Sequence, residues 1–208
     1  LFLKKIKTFS RLLVMLDYIQ SGSKYADISF HSLFYPRKKF CKNTFSGLEY
    51  VIIGKKFLES KKSYSFKKNI NSKIIFQGGA DTKCFSPKIL KSLKSLPSNI
   101  KLTLIVGNKF QCWTELNKTL KLIQKKINIL YDVKNISNEM KNHDLAISAG
   151  GNTLLELLAI GIPSLIICGE QHEMQIAKIL SSKKLALNLG YGKILSQKLI
   201  LEKTKNFV

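Results

Sequence analysis

The sequence predicts an α/β protein built on parallel sheet, with helices on both faces. Three observations predict it. Short apolar runs alternate with segments of helical period. The connections between them are short, as in consecutive βαβ units. The chain of 208 residues is long enough to bury a sizeable core.

Taken in order, "RLLVML" (Arg11–Leu16) reads as a short buried strand ending at Asp17. "YADISFH" (Tyr25–His31) reads as a second. "GLEYVIIGKKF" (Gly47–Phe57) leads into the basic polar stretch "LESKKSYSFKKNINS". That change of composition marks a linker or domain boundary. We therefore expect one unit over 1–57 and a second over 58–208. In the second, "KIIFQ" (Lys73–Gln77) is a strand that meets Gly78 and Gly79, and Pro87 with "KILKSLKSL" supplies a helix. "KLTLIVG", "INILYDV", "DLAIS" and "IPSLIIC" read as further strands. "WTELNKTLKLIQKK", "NISNEMKNH", "TLLELLAIG" and "EMQIAKILSSKK" read as helices.

Thirty-five Lys and Arg against thirteen acids give a formal charge of +22. Such a charge suits an anionic partner. The lysines are scattered among Ile, Asn and Ser, however, with no nucleic-acid module and no interleaving of aromatic and basic residues. The charge thus reads as generic composition, and no specific nucleic-acid partner is expected. Cys41, Cys84, Cys112 and Cys168 have no zinc spacing. No metal and no cofactor is called for. Cys84 and Cys168 lie in or beside apolar runs, where Cys is usually a small buried hydrophobe. We read a reducing, cytoplasmic setting. The most apolar run, Leu154–Cys168, is too short to span a bilayer and is interrupted by Glu156, Gly161 and Pro163. Peripheral membrane contact stays open. The start lacks an initiator Met, so a fragment of a longer chain is expected.

The chemistry concentrates in "HDLAISAGGNTLLELLAIGIPSLIIC". A strand ends at Ser148. Gly150 and Gly151 allow a sharp turn and close approach of a ligand. Asn152 or Thr153 can cap the helix that follows. N–H groups at a helix start favour an anion such as a diphosphate. Two readings stand for Glu156. Thr153 and Glu156 have capping-box spacing. Alternatively, the carboxylate accepts ribose hydroxyls, as acids do in nucleotide sites.

These motifs resemble the carboxyl-terminal half of GT-B nucleotide-sugar enzymes, in particular the UDP-sugar hydrolases of pseudaminic acid biosynthesis and their spore-coat polysaccharide relatives. The family of peptidoglycan N-acetylglucosaminyltransferases is a more distant likeness. "RLLVMLDY" resembles a family strand that ends in paired aspartates, although Tyr18 stands in place of the second. "GLEYVIIGKKF" resembles the passage between domains, "IIFQGGAD" the Gly-Gly-x-Asp turn, and "DLAISAGGNTLLE" the Gly-Gly-x-Thr-x-x-Glu segment. The likeness covers most of the chain.

The resemblance implies a GT-B-like, Rossmann-type nucleotide-sugar domain, preceded by the tail of a second Rossmann-like domain. It implies that Ser148, Gly150, Gly151, Asn152 and Thr153 surround a diphosphate and that Glu156 holds the ribose. Gly78, Gly79 and Asp81 would border the same cleft. Glu173 falls where a sugar-contacting Gln is expected, with Gln171 and His172 beside it. The implied substrate is a UDP-sugar. The implied activity is release of UDP from a diacetamido-trideoxy hexose, with glycosyl transfer from the same donor, or an inactive fragment, as the alternatives. No catalytic residue is assigned. The family's Gly-rich loop and His lie in its amino-terminal domain, and no Gly-rich turn followed by His precedes Asp17.

Overall fold

A computed structural model describes residues 2–18, 20–32 and 41–207. The chain divides into two compact units, Leu1–Ile52 and Ile53–Val208.

The first unit opens with helix α1 (Phe2–Phe9) and carries strands β1 (Val14–Leu16), β2 (Ile28–His31) and β3 (Asn43–Ser46). They form a parallel sheet in the order β1-β2-β3. Residues 25–27, expected to begin the second strand, instead close a 3-10 turn, Ser21–Tyr25, and lead into β2. At the carboxyl end of β1, the Asp17 carboxylate accepts from the Ser32 N–H and hydroxyl, both at 2.7 Å.

The second unit starts with helix α2 (Lys55–Lys62). It therefore lies partly inside the polar stretch read as a linker. The reason is packing: Phe57 and Tyr64 sit on the core cluster of Ile74, Ile105, Met140 and Leu157, which lysine-rich composition does not reveal. There follow β4 (Ser72–Phe76), α3 (Phe85–Ser92), β5 (Lys101–Val106), α4 (Trp113–Lys121), β6 (Ile127–Tyr131) and α5 (Ile136–Lys141). The chain continues through β7 (Leu145–Ser148), α6 (Asn152–Ile160), β8 (Ser164–Cys168), α7 (Glu173–Ser182), β9 (Leu187–Tyr191) and α8 (Gln197–Lys205).

The six strands are parallel, in the order β6-β5-β4-β7-β8-β9. Alternate residues of the central strands feed two cores. Ile75, Leu104 and Leu145 pack with Ile89, Leu93 and Leu116, from α3, its C-cap and α4. Ile74, Ile105 and Ala146 pack with Met140, Leu157 and Ile160, from α5 and α6. The α/β class with helices on both faces follows directly. At the amino edge, Asp144 Oδ2 accepts from the N–H groups of Asn71 and Ser72 and from the Ser72 hydroxyl. That ties the starts of β4 and β7 together. Among the described residues no helix is long and apolar enough to cross a membrane.

One expectation about the cysteines is corrected. Cys84 and Cys112 form a disulfide, with Cα atoms 5.5 Å apart, while Cys41 and Cys168 are free and buried. The physical reason is topological. Cys84 is the N-cap of α3 and Cys112 that of α4. Both helices start at the carboxyl edge of adjacent strands, so residues 28 apart in sequence meet in space.

Candidate functional site

Chain order sets where a site can form. From β4 the chain steps outward through β5 and β6, then returns to the other side of β4 as β7. Ligands of open parallel sheets bind at the carboxyl ends of the strands where the order reverses. That point lies between β4 and β7. Two Gly-Gly turns project from it, Gly78-Gly79 after β4 and Gly150-Gly151 after β7.

Gly78 has φ +76°, in the left-handed region that favours glycine, and nothing among the described residues lies within 4 Å of where its Cβ would be. Gly150 is needed for a different reason. A Cβ there would sit 2.7 Å from the Glu173 Cβ, so the turn after β7 and the start of α7 touch only because the side chain is absent. Ser148 is buried and donates its hydroxyl to the Ala149 carbonyl.

Helix α6 begins at Asn152 with Gly151 as its N-cap, and no side chain among the described residues caps it. The capping-box reading is therefore corrected. Thr153 lies inside the helix, and Glu156 is its fifth residue rather than its third. Leu154 N–H donates to the Gly151 carbonyl, whereas the N–H groups of Asn152 and Thr153 have no acceptor among the described residues. No acid occupies the first turn. Glu156 is half-buried, burial pushes its pKa up, and among the described residues its carboxylate makes no hydrogen bond or ion pair. A desolvated carboxylate without a partner is costly unless something else supplies donors.

Asp81 is buried and borders the cleft, and its two oxygens accept from the Phe85 and Ser86 N–H groups at 2.9 and 2.8 Å. It anchors the start of α3. Burial raises its pKa, and those two hydrogen bonds pull the other way. Gln171 and His172 are exposed, and His172 is the N-cap of α7. Glu173 is the first residue of α7, and its Oε2 accepts from the N–H groups of Gly169 (2.6 Å) and Glu170 (3.3 Å). It braces the loop that the resemblance assigned to the sugar.

A cavity of about 190 Å³ opens here, lined among others by Asp81, Lys83, Ala149, Gly169 and Glu173. Larger cavities, of about 570 and 660 Å³, lie at the amino edge, beside Pro163 and Leu187 and beside Asn71 and Ile100. We favour the smaller one because it alone of the three adjoins the Gly-Gly turns at the point of strand reversal. Its lining includes Gln77, which sequence reasoning passed over as the last residue of an apolar strand. Gly107 was missed too. A Cβ there would meet the Gly79 carbonyl oxygen at 2.5 Å, so β5 must end in glycine for the first turn to fold against it.

Topology, turns and helix starts define a GT-B-type, Rossmann-like domain. Residues 73–206 match the glycosyltransferase family 28 C-terminal domain, and the chain belongs to that family. It is 32% identical over 84% of its length to an uncharacterized protein of Methanocaldococcus jannaschii. It is 25% identical over 96% of its length to the spore coat polysaccharide biosynthesis protein SpsG of Bacillus subtilis. It is 33% identical over 61% of its length to the UDP-N-acetylglucosamine–N-acetylmuramyl-(pentapeptide) pyrophosphoryl-undecaprenol N-acetylglucosamine transferase of Rickettsia bellii. The chain spans 38%, 61% and 38% of those three relatives. Among solved structures it resembles Acinetobacter baumannii MurG, with TM-score 0.66 and 13% identity over 97% of this chain and 59% of that one. That likeness bears on the fold alone.

Proposed function

We propose that this chain is the donor-binding half of a glycosyltransferase that takes a UDP-sugar and acts in polysaccharide or cell-surface glycan biosynthesis. The observation that carries the reading is an uncapped, acid-free start of α6 behind a Gly-Gly turn, in a chain whose residues 73–206 match a glycosyltransferase domain. The diphosphate would accept from the N–H groups of Asn152 and Thr153, with the helix dipole behind them. Glu156 lies four residues further on, about 6 Å along the axis and on the face of Asn152. That offset suits a ribose attached to a diphosphate held at the helix start, with Glu156 accepting its hydroxyls. Gly78 and Gly79 leave open space on the opposite wall.

The hydrolase reading drawn from the sequence resemblance ranks below transfer, because the matched family and the Rickettsia bellii relative are both named for glycosyl transfer. The group that deprotonates an acceptor would lie in the parent protein's other half. The experiment is calorimetric titration of the chain with UDP, uridine and UDP-N-acetylglucosamine. UDP is expected to bind at least about tenfold more tightly than uridine, since charge-assisted hydrogen bonds carry the difference. Equal affinities for UDP and uridine would remove the diphosphate from the reading.

A further inference from the structure

Gln77 is only 7% exposed, and both polar atoms of its side chain, Nε2 and Oε1, are buried without a hydrogen-bond partner among the described residues. It is the first residue after β4, immediately before the Gly78-Gly79 turn, and it is one of the residues that line the cavity at the strand reversal. A buried amide with neither its donors nor its acceptor satisfied is rare and calls for a cause. An apolar residue of the same shape would fill the position at lower cost. To pair with a group in that cavity, the Gln77 side chain must turn its buried amide toward it.

The walls of that cavity restrict what could pair with the amide. Asp81, Glu170 and Glu173 contribute three carboxylates against one ammonium, from Lys83, which pairs with Glu170 at 3.6 Å. A diphosphate, which offers only acceptors, would face these anions and leave Oε1 unpaired. An uncharged group that both donates and accepts satisfies the amide completely. Sugar hydroxyls and acetamido groups are of that kind. The cavity adjoins Ala149, which precedes the turn that leads into the start of α6, where the diphosphate is proposed to bind.

We infer that Gln77 is a specificity-determining contact to the sugar of the donor, a polar but uncharged hexose, and that its amide is left unpaired until the sugar arrives. This rests on the nucleotide-sugar reading of the site. The test is Gln77→Leu in the full chain, titrated with UDP and with UDP-N-acetylglucosamine, together with thermal unfolding of the free protein. Loss of two neutral hydrogen bonds should weaken UDP-N-acetylglucosamine by about tenfold and leave UDP unchanged. The free variant should melt at the same temperature or higher, because an unpaired buried amide has been removed. A lower melting temperature with unchanged affinities would make Gln77 structural and overturn the assignment. Equal weakening of both ligands would overturn it as well, placing Gln77 at the diphosphate. If the wild-type chain binds no UDP, the donor-site reading itself falls. If it binds UDP and Gln77→Leu alters neither affinity, the Gln77 assignment alone falls.

Discussion

Replacing Glu156 by Gln separates a structural carboxylate from a ligand-binding one. Glu156 is half-buried, carries no partner among the described residues, and has its pKa raised from an ordinary 4.5 by desolvation. A carboxyl group whose pKa is higher in the folded than in the unfolded state costs stability in its charged form. That cost is fully present above the folded pKa and disappears as pH falls below the unfolded one. Gln removes the charge and keeps the shape. The variant should therefore melt no lower than wild type at pH 7, with any gain fading toward pH 4. Binding should move the other way. A hydrogen bond to a charged acceptor is worth roughly 1.5–3 kcal/mol, so UDP affinity should fall about 10- to 150-fold. The assay is calorimetry on wild type and variant with UDP and 2′,3′-dideoxy-UDP, closing a thermodynamic cycle. The dideoxy ligand should bind both proteins alike. A coupling energy near zero, or a loss of stability at pH 7 without loss of affinity, would refute the ribose role.

Gly150→Ala should destabilise by about 1–3 kcal/mol, read from denaturant unfolding, because the new Cβ would press on the Glu173 Cβ at 2.7 Å. Reducing the Cys84–Cys112 disulfide should lower stability by about 3.6 kcal/mol for a loop closed over 28 residues, seen as a lower melting temperature in reductant that Cys112→Ser reproduces without it. His143 is buried, with Nδ1 at 2.8 Å from the Glu139 carbonyl and Nε2 at 2.8 Å from the Thr103 hydroxyl. Burial lowers its pKa from the ordinary 6.5, and the Glu139 carbonyl pulls the other way. The unfolded chain thus takes up the proton first, and stability should decline as pH falls below 6.5. His31, also lowered by burial, adds to the same slope. His143→Gln should flatten the slope in unfolding measured between pH 7.5 and about 5; an unchanged slope would show that His143 does not titrate on unfolding.

The strands from β4 to β8 and the helices between them were legible in the sequence, because each is a local statement. Ile74 to Phe76 and Leu145 to Ile147 are short apolar runs, and the Gly-Gly and Gly-x-Pro turns bound the strands around them. Where local signals are weak the reading failed. The strands Asn43–Ser46 and Leu187–Tyr191 and the helices Phe2–Phe9 and Gln197–Lys205 went unread, and Lys55–Lys62 was hidden by its lysines. A lysine-rich helix shows its buried stripe only where another element covers it, as Phe57 is covered in the cluster around Met140 and Leu157.

By itself, then, the sequence determined the alternation of strand and helix, the parallel class, and the two Gly-Gly turns. These depend on residue shape and period within a few positions. Only the tertiary structure decided which distant residues meet. It placed β7 beside β4, so that the Gly78-Gly79 and Gly150-Gly151 turns follow neighbouring strands. It joined Cys84 to Cys112 through neighbouring helix starts. It began α6 at Asn152, which took Glu156 out of any capping box, and it buried Gln77 with its amide unpaired among the described residues. The physical reason is the same in each case. Strand order and burial come from long-range packing of side chains on the two faces of a sheet, and no window of neighbouring residues carries that information.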